Sequence, residues 1–143
     1  MTVESILKDK GTKVATARPH ETVGTLVHKL KLENIGAVVV STDGKKVDGI
    51  ISERDIVRGL ATHGGELPAM TIDKLMIRDV LTCAPEDSVK DVMQTMTTRR
   101  GRHLPVVKNG KMVGLVSIGD VVKNRLEDVE MEARVLRDYI TAR

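Results

Sequence analysis

The chain repeats itself, and the repeat constrains its fold more than any single motif does. Thr2-Val-Glu-Ser-Ile-Leu7 reads against Thr71-Ile-Asp-Lys-Leu-Met76, each pair identical or chemically similar except Ser5 and Lys74. Three residues then drop out of the second copy and the match resumes. Val14-Ala-Thr16 meets Val80-Leu-Thr82, and Pro19 meets Pro85. Val23, Leu26, Val27 and Leu30 meet Val89, Val92, Met93 and Met96. Val40 meets Val106, and Gly44-Lys45 meets Gly110-Lys111. After a slip of one residue, Gly49-Ile-Ile-Ser52-Glu-Arg-Asp55 meets Gly114-Leu-Val-Ser117-Ile-Gly-Asp120. The copies run over 2–58 and 71–123, joined by a linker, 59–70, that carries the breaker-rich run His63-Gly-Gly-Glu-Leu-Pro68. A tail, 124–143, lies outside both.

Each copy reads the same way. Past its proline, Thr22 or Ser88 stands where a helix is capped, and the apolar positions 23, 26, 27, 30 and 89, 92, 93, 96 mark one helical face. Ala37-Val-Val-Val40 and Leu104-Pro-Val-Val107 are short runs rich in valine, which suit buried strands. Asp43-Gly44 and Asn109-Gly110 signal hairpin turns, and a second strand then leads into Ser52 or Ser117. Each copy is thus β-α-β-β-α, with about three strands. Neither is large enough to bury its own sheet, so the expected architecture is an α/β (α+β) fold of two repeats packed sheet to sheet. In the tail, Val122, Leu126, Val129, Ala133, Leu136 and Ile140 are spaced as heptad positions, so a C-terminal amphipathic helix is expected over 124–143.

Composition excludes several classes of function. With 143 residues there is no room for a (β/α)₈ barrel and a second domain. The net charge is only +3, and one Tyr with no Phe or Trp leaves no stacking platforms, so nucleic acid is not an expected partner. One cysteine, Cys83, forms no internal disulfide, and with four scattered histidines it suggests no metal site. No apolar run approaches a membrane span, and Met1-Thr-Val-Glu-Ser lacks the marks of a secretory leader, so a cytoplasmic location is expected.

The paired Gly49-x-x-Ser52-x-x-Asp55 and Gly114-x-x-Ser117-x-x-Asp120, each behind an Asp/Asn-Gly turn, resemble the tandem cystathionine-β-synthase (CBS) domain module. Arg102-His103-Leu104-Pro105-Val106-Val107 is similar to that family's usual central strand, and Asn34-Ile-Gly-Ala-Val-Val-Val40 to a variant of it. The resemblance implies a disc-like pair of repeats with pseudo-two-fold symmetry, two clefts that bind adenosine-containing nucleotides, and a homodimer. It does not imply an enzyme.

Ser-x-x-Asp is also capping-box spacing, in which Ser and Asp satisfy each other's backbone N–H groups at a helix start. The two roles are compatible, since a helix N-terminus attracts phosphate and an acidic side chain can accept ribose hydroxyls. The resemblance assigns ribose to Asp55 and Asp120, and ribose or phosphate to Ser52 and Ser117. It places adenine in two slots, one lined by Thr16, Ala17, Pro19, Gly36, Ala37 and Val38. The other is lined by Thr82, Ala84, Pro85, Arg102, His103, Leu104 and Pro105. Arg54, Arg102 and His103 are the expected phosphate cations, with Arg58, Arg99 and Arg100 nearby. Gly119 stands where the first copy has Arg54, and Gly36-Ala37 where the second has Arg102-His103, so the two clefts are expected to differ.

The reading that results is a stand-alone regulatory protein binding AMP, ADP, ATP or NAD(H), a sensor of energy or redox state rather than a catalyst. The alternative is a protein–protein interaction module with vestigial clefts, its tail recruiting an unidentified protein target.

Overall fold

A computed structural model describes residues 1–142. Helix α1 (Val3–Lys10) opens the chain and is stopped by Gly11, whose φ of 96° suits glycine and whose N–H bonds Leu7. Strand β1 (Thr16–Ala17) lies parallel to β2 (Ala37–Val40), and β2 pairs antiparallel with β3 (Gly49–Ser52). Between β1 and β2 runs α2 (Val23–Glu33), capped by the Thr22 hydroxyl, which accepts from the Thr25 N–H at 3.2 Å. After β3 the chain turns directly into α3 (Glu53–His63).

The second copy supplies α4 (Val89–Arg99), capped by Ser88, then β4 (His103–Lys108), β5 (Lys111–Ser117) and the long α5 (Ile118–Thr141). Its first strand is thinned to one bridge, Cys83 to Val106, where about three strands were expected. A bulge between Val106 and Val107 breaks the register beside that bridge. Asn109 and Gly110 turn the hairpin with φ of 53° and 75°, the left-handed pair such turns require. Asp43-Gly44 does not make the matching tight hairpin, because the connection spans 41–48. There the Asp43 carboxylate accepts from the N–H groups of Lys46 and Lys45, both at 2.8 Å, which draws its pKa down to about 2.

The copies are tied together by exchanging their leading segments. Val3, Ile6 and Leu7 of α1 belong to the second copy's core, with Val89, Val92, Met96, Leu104, Val106, Val116 and Val121. Ile72 and Met76, their counterparts in the second copy, sit in the first copy's core with Leu26, Leu30, Val38, Val40 and Ile51. Backbone bonds fasten each exchange in the same way. The Asp73 N–H donates to the Pro19 carbonyl and the Glu4 N–H to the Pro85 carbonyl, both at 2.9 Å. Each core is therefore complete only when both copies are present.

Candidate functional site

The two Ser-x-x-Asp motifs sit where a strand ends and a helix begins. At the start of α3 the Asp55 Oδ2 accepts from the Ser52 N–H at 2.9 Å and from its hydroxyl at 3.0 Å. At the start of α5 a full capping box forms. The Ser117 N–H donates to Asp120 Oδ2 at 2.9 Å, and the Asp120 N–H donates to Ser117 Oγ at 3.2 Å. Both carboxylates therefore cap their helices through Oδ2, and among the described residues neither Oδ1 accepts a hydrogen bond.

Beyond the caps the sites diverge. Asp55 opens on a cleft of about 220 Å³ whose walls include Ile50, Ser52, Glu53, Arg54 and Arg58 from the first copy. Arg100, Gly101, Arg102 and His103 from the second copy close it, with Gly36 and Ile77 completing the wall. Register explains the meeting of the copies: His103 pairs with Ser117 at the mouth of the second sheet as Ala37 pairs with Ser52 at the first. Among the described residues the four arginine side chains have no acidic partner; the one ion pair there is Lys10 with Asp120. His103 is half-buried, and burial together with the Lys10 and Arg102 charges lowers its pKa against the opposing pull of Asp120 and Glu53.

Asp120 faces a different neighbour. The Lys10 ammonium donates to its Oδ2 at 2.6 Å and to the Leu115 carbonyl at 2.9 Å. Burial works to raise the Asp120 pKa, but the Lys10 hydrogen bond, the Ser117 N–H and the Lys10 charge outweigh it and hold the group low. In the first copy's cleft the matching place is taken by Ile77, whose N–H and carbonyl pair with Ile50 at 2.9 and 3.0 Å. The difference comes from length. The three residues the second copy lacks let α1 run on to Lys10, whereas the second leader makes only a short 3₁₀ turn over Ile72–Lys74. A small hollow of about 100 Å³ remains beside Asp120, lined also by Lys123 and the buried Asn124.

The structure brings together Gly36, Ser52, Arg54, Asp55, Arg102 and His103 of the expected site residues. Sequence reasoning grouped Arg102 and His103 with Thr82, Ala84 and Pro85; in the fold they line the cleft of Asp55 instead. Thr16, Ala17 and Pro19 lie outside its wall, and so do Thr82, Ala84 and Pro85. The carbonyls of Pro19 and Pro85 receive the exchanged leaders, and Thr16 accepts from Lys29 at 2.6 Å. Ala37, Val38, Leu104 and Pro105 are buried strand residues, with the Val38 and Leu104 side chains in the two cores. Gly119 is exposed and Ser117 is spent on the cap. Ile50, Glu53 and Ile77 were missed: the first two fill open positions of the Gly49–Asp55 motif, and nothing in sequence marks Ile77 as reaching the cleft from the other copy's leader. Cys83 is buried; burial first, then the Asp87 charge, push its thiol up to about 12, so it is a core filler. No described group of His, Cys, Asp and Glu is placed to hold a metal.

This geometry matches a known family. The CBS domain model fits residues 3–62 and again 72–127, so the chain belongs to the CBS-domain family and carries a tandem pair. It is similar to the mitochondrial CBS domain-containing protein CBSX3 of Arabidopsis thaliana, 33% identical across 97% of this chain and 71% of that one. Its fold matches a crystal structure of a CBS-domain containing protein from Agrobacterium tumefaciens with a TM-score of 0.84 and 38% identity, over 87% of this chain and 99% of that one. The CBS domain pair of protein MJ0100, in complex with 5′-methylthioadenosine and S-adenosyl-L-methionine, matches with a TM-score of 0.78 and 25% identity, over 90% of this chain and 98% of that one. CBS pairs thus include binders of adenosine-containing ligands, and these relatives carry the name of a domain rather than of a reaction. No helix among the described residues is long and apolar enough to cross a membrane.

Proposed function

We propose that this CBS pair is a cytoplasmic regulatory protein that binds an adenine nucleotide in the Asp55 cleft and reports energy or redox state through its shape. The observation that carries the reading is the arrangement around Asp55. Among the described residues, a capped carboxylate with Oδ1 unengaged lines the same cleft as Ile50 and Ile77 and as four arginines without an acidic partner. Each part has a matching piece of ligand. Oδ1 accepts ribose hydroxyls, the isoleucines cover an adenine face, and the arginines with the α3 N-terminus take phosphate. The complex of the MJ0100 pair with 5′-methylthioadenosine and S-adenosyl-L-methionine supports an adenosine-containing ligand. A ligand that favours one arrangement of the exchanged copies shifts the population toward it, which is how a binding module signals without catalysis.

The test is thermal unfolding of ligand-stripped protein against AMP, ADP, ATP, NAD⁺, NADH, S-adenosylmethionine and GMP. One Tyr and no Trp make circular dichroism the suitable probe. A ligand at a hundred times its dissociation constant adds about 2.7 kcal/mol, a rise of about 5–10 °C for a chain of this size. Asp55→Ala should remove most of that rise, at a cost of about 1 kcal/mol in the unliganded protein from the lost cap. A flat panel on folded protein transfers the function to protein–protein contact, for which the exposed apolar positions of α5 are the surface.

A further inference from the structure

We infer that the Asp55 cleft selects ligands bearing two or more linked phosphates (nucleoside diphosphates, triphosphates or dinucleotides) over monophosphates and over uncharged or cationic adenosine derivatives. This selectivity presupposes the adenosine site proposed above and adds the ligand class to it.

Charge is the first ground. Arg54, Arg58, Arg100 and Arg102 are always protonated, line one cleft, and have no acidic partner among the described residues. A lone phosphate brings one set of terminal oxygens, fewer than four guanidinium forks spread along the wall can use, even with the Glu53 and Asp55 carboxylates in the same lining. The cluster is also particular to this cleft. The residues matching Arg100, Gly101 and Arg102 in the first copy are Asn34, Ile35 and Gly36, none of them charged.

Shape is the second ground. A further cavity of about 330 Å³, floored by Met96 and Ile118, is lined by the same Arg54, Arg100 and Arg102. These three side chains therefore form a wall common to both hollows. A phosphate attached to a ribose on Asp55 reaches the near side of that wall, and a second or third phosphate continues along it.

Backbone conformation is the third. Arg100 ends α4 in the left-handed region with φ of 56°, where its counterpart Asn34 has φ of 53°. Asparagine adopts that conformation more readily than arginine, so Arg100 sits there against its own preference. The conformation stops both helices, and in this copy the residue that holds it is an arginine on the cleft wall.

The experiment is calorimetric titration of the full, ligand-stripped chain with AMP, ADP, ATP, NAD⁺ and S-adenosylmethionine at two salt concentrations. The expected result is ADP and ATP binding about tenfold or more tighter than AMP, with S-adenosylmethionine weaker still. The advantage of ATP over AMP should shrink at high salt. Arg100→Asn copies the residue of the other helix end, so the fold should keep or gain stability while the ATP-to-AMP affinity ratio drops about threefold or more. Arg54→Gln should lower the same ratio without touching a left-handed position. AMP binding as tightly as ADP and ATP, or an unchanged ratio in both variants, overturns the selectivity and leaves the adenosine site standing. Failure of every adenosine compound to bind removes the site itself.

Discussion

Gly49 and Gly114 open the two motifs because the exchanged leader passes directly over them. A Cβ on Gly49 would lie 2.7 Å from Met76 Sδ and 2.9 Å from the Ile77 carbonyl oxygen. On Gly114 it would lie 2.6 Å from a methyl of Leu7, the residue that matches Met76. Gly114→Ala should cost about 1–3 kcal/mol, and Gly49→Ala more, since a backbone carbonyl yields less than a leucine methyl. Shortening the partner in Gly114→Ala/Leu7→Val should recover part of the loss, which a double-mutant cycle by urea unfolding reads directly; strict additivity would mean the two do not touch. His103 makes a second prediction at this scale. Its pKa is lowered in the folded chain by burial and by Lys10 and Arg102, against Asp120 and Glu53. As pH falls below 6.5 the unfolded chain takes up a proton that folded His103 resists, so stability should fall with it. His103→Gln should flatten that part of the stability profile between about pH 7 and pH 5.

At the level of elements, α1 does two jobs that its sequence match alone does not separate. Its apolar face completes the second core, and its last turn delivers Lys10 to Asp120. The ion pair is partly solvated, with side-chain exposures of 35% and 24%, so Lys10→Met should cost less than about 1 kcal/mol. The same variant should let the Asp120 pKa rise, measurable by carbon-detected NMR titration. It should also strengthen nucleotide binding at the second motif, seen as added stoichiometry in calorimetry. An Asp120 pKa that stays put in Lys10→Met would show that the Ser117 N–H alone holds it. Helices α2 and α4 were legible from their caps and apolar spacing, because both signals are local. The thinned first strand of the second copy was not, since its one bridge, Cys83 to Val106, depends on a partner strand more than twenty residues further along the chain.

For the whole molecule, the uncovered feature is α5. Val122, Leu126, Val129, Leu136 and Ile140 stay between 42% and 62% exposed, so the helix does not fold its apolar stripe back on its own copy. We propose that two chains associate through that stripe, in keeping with the homodimer that the family resemblance implies, and sedimentation should then show a dimer. Leu126→Glu with Leu136→Glu should shift it to monomer while circular dichroism keeps the core intact; a dimer that survives both changes places the interface elsewhere. By itself the sequence determined the duplication, the helix-strand-strand-helix order shared by both copies, the capped Ser-x-x-Asp helix starts and the family they resemble. All of these are written in spacing along the chain. Tertiary structure decided which copy completes which core, that Arg100, Arg102 and His103 line the cleft of Asp55, and that Lys10 occupies Asp120. Those contacts join residues 45 or more positions apart, from Asp55 to Arg100 or from Lys10 to Asp120. Long-range partners are set by how two cores close around exchanged segments, and local periodicity carries no record of that.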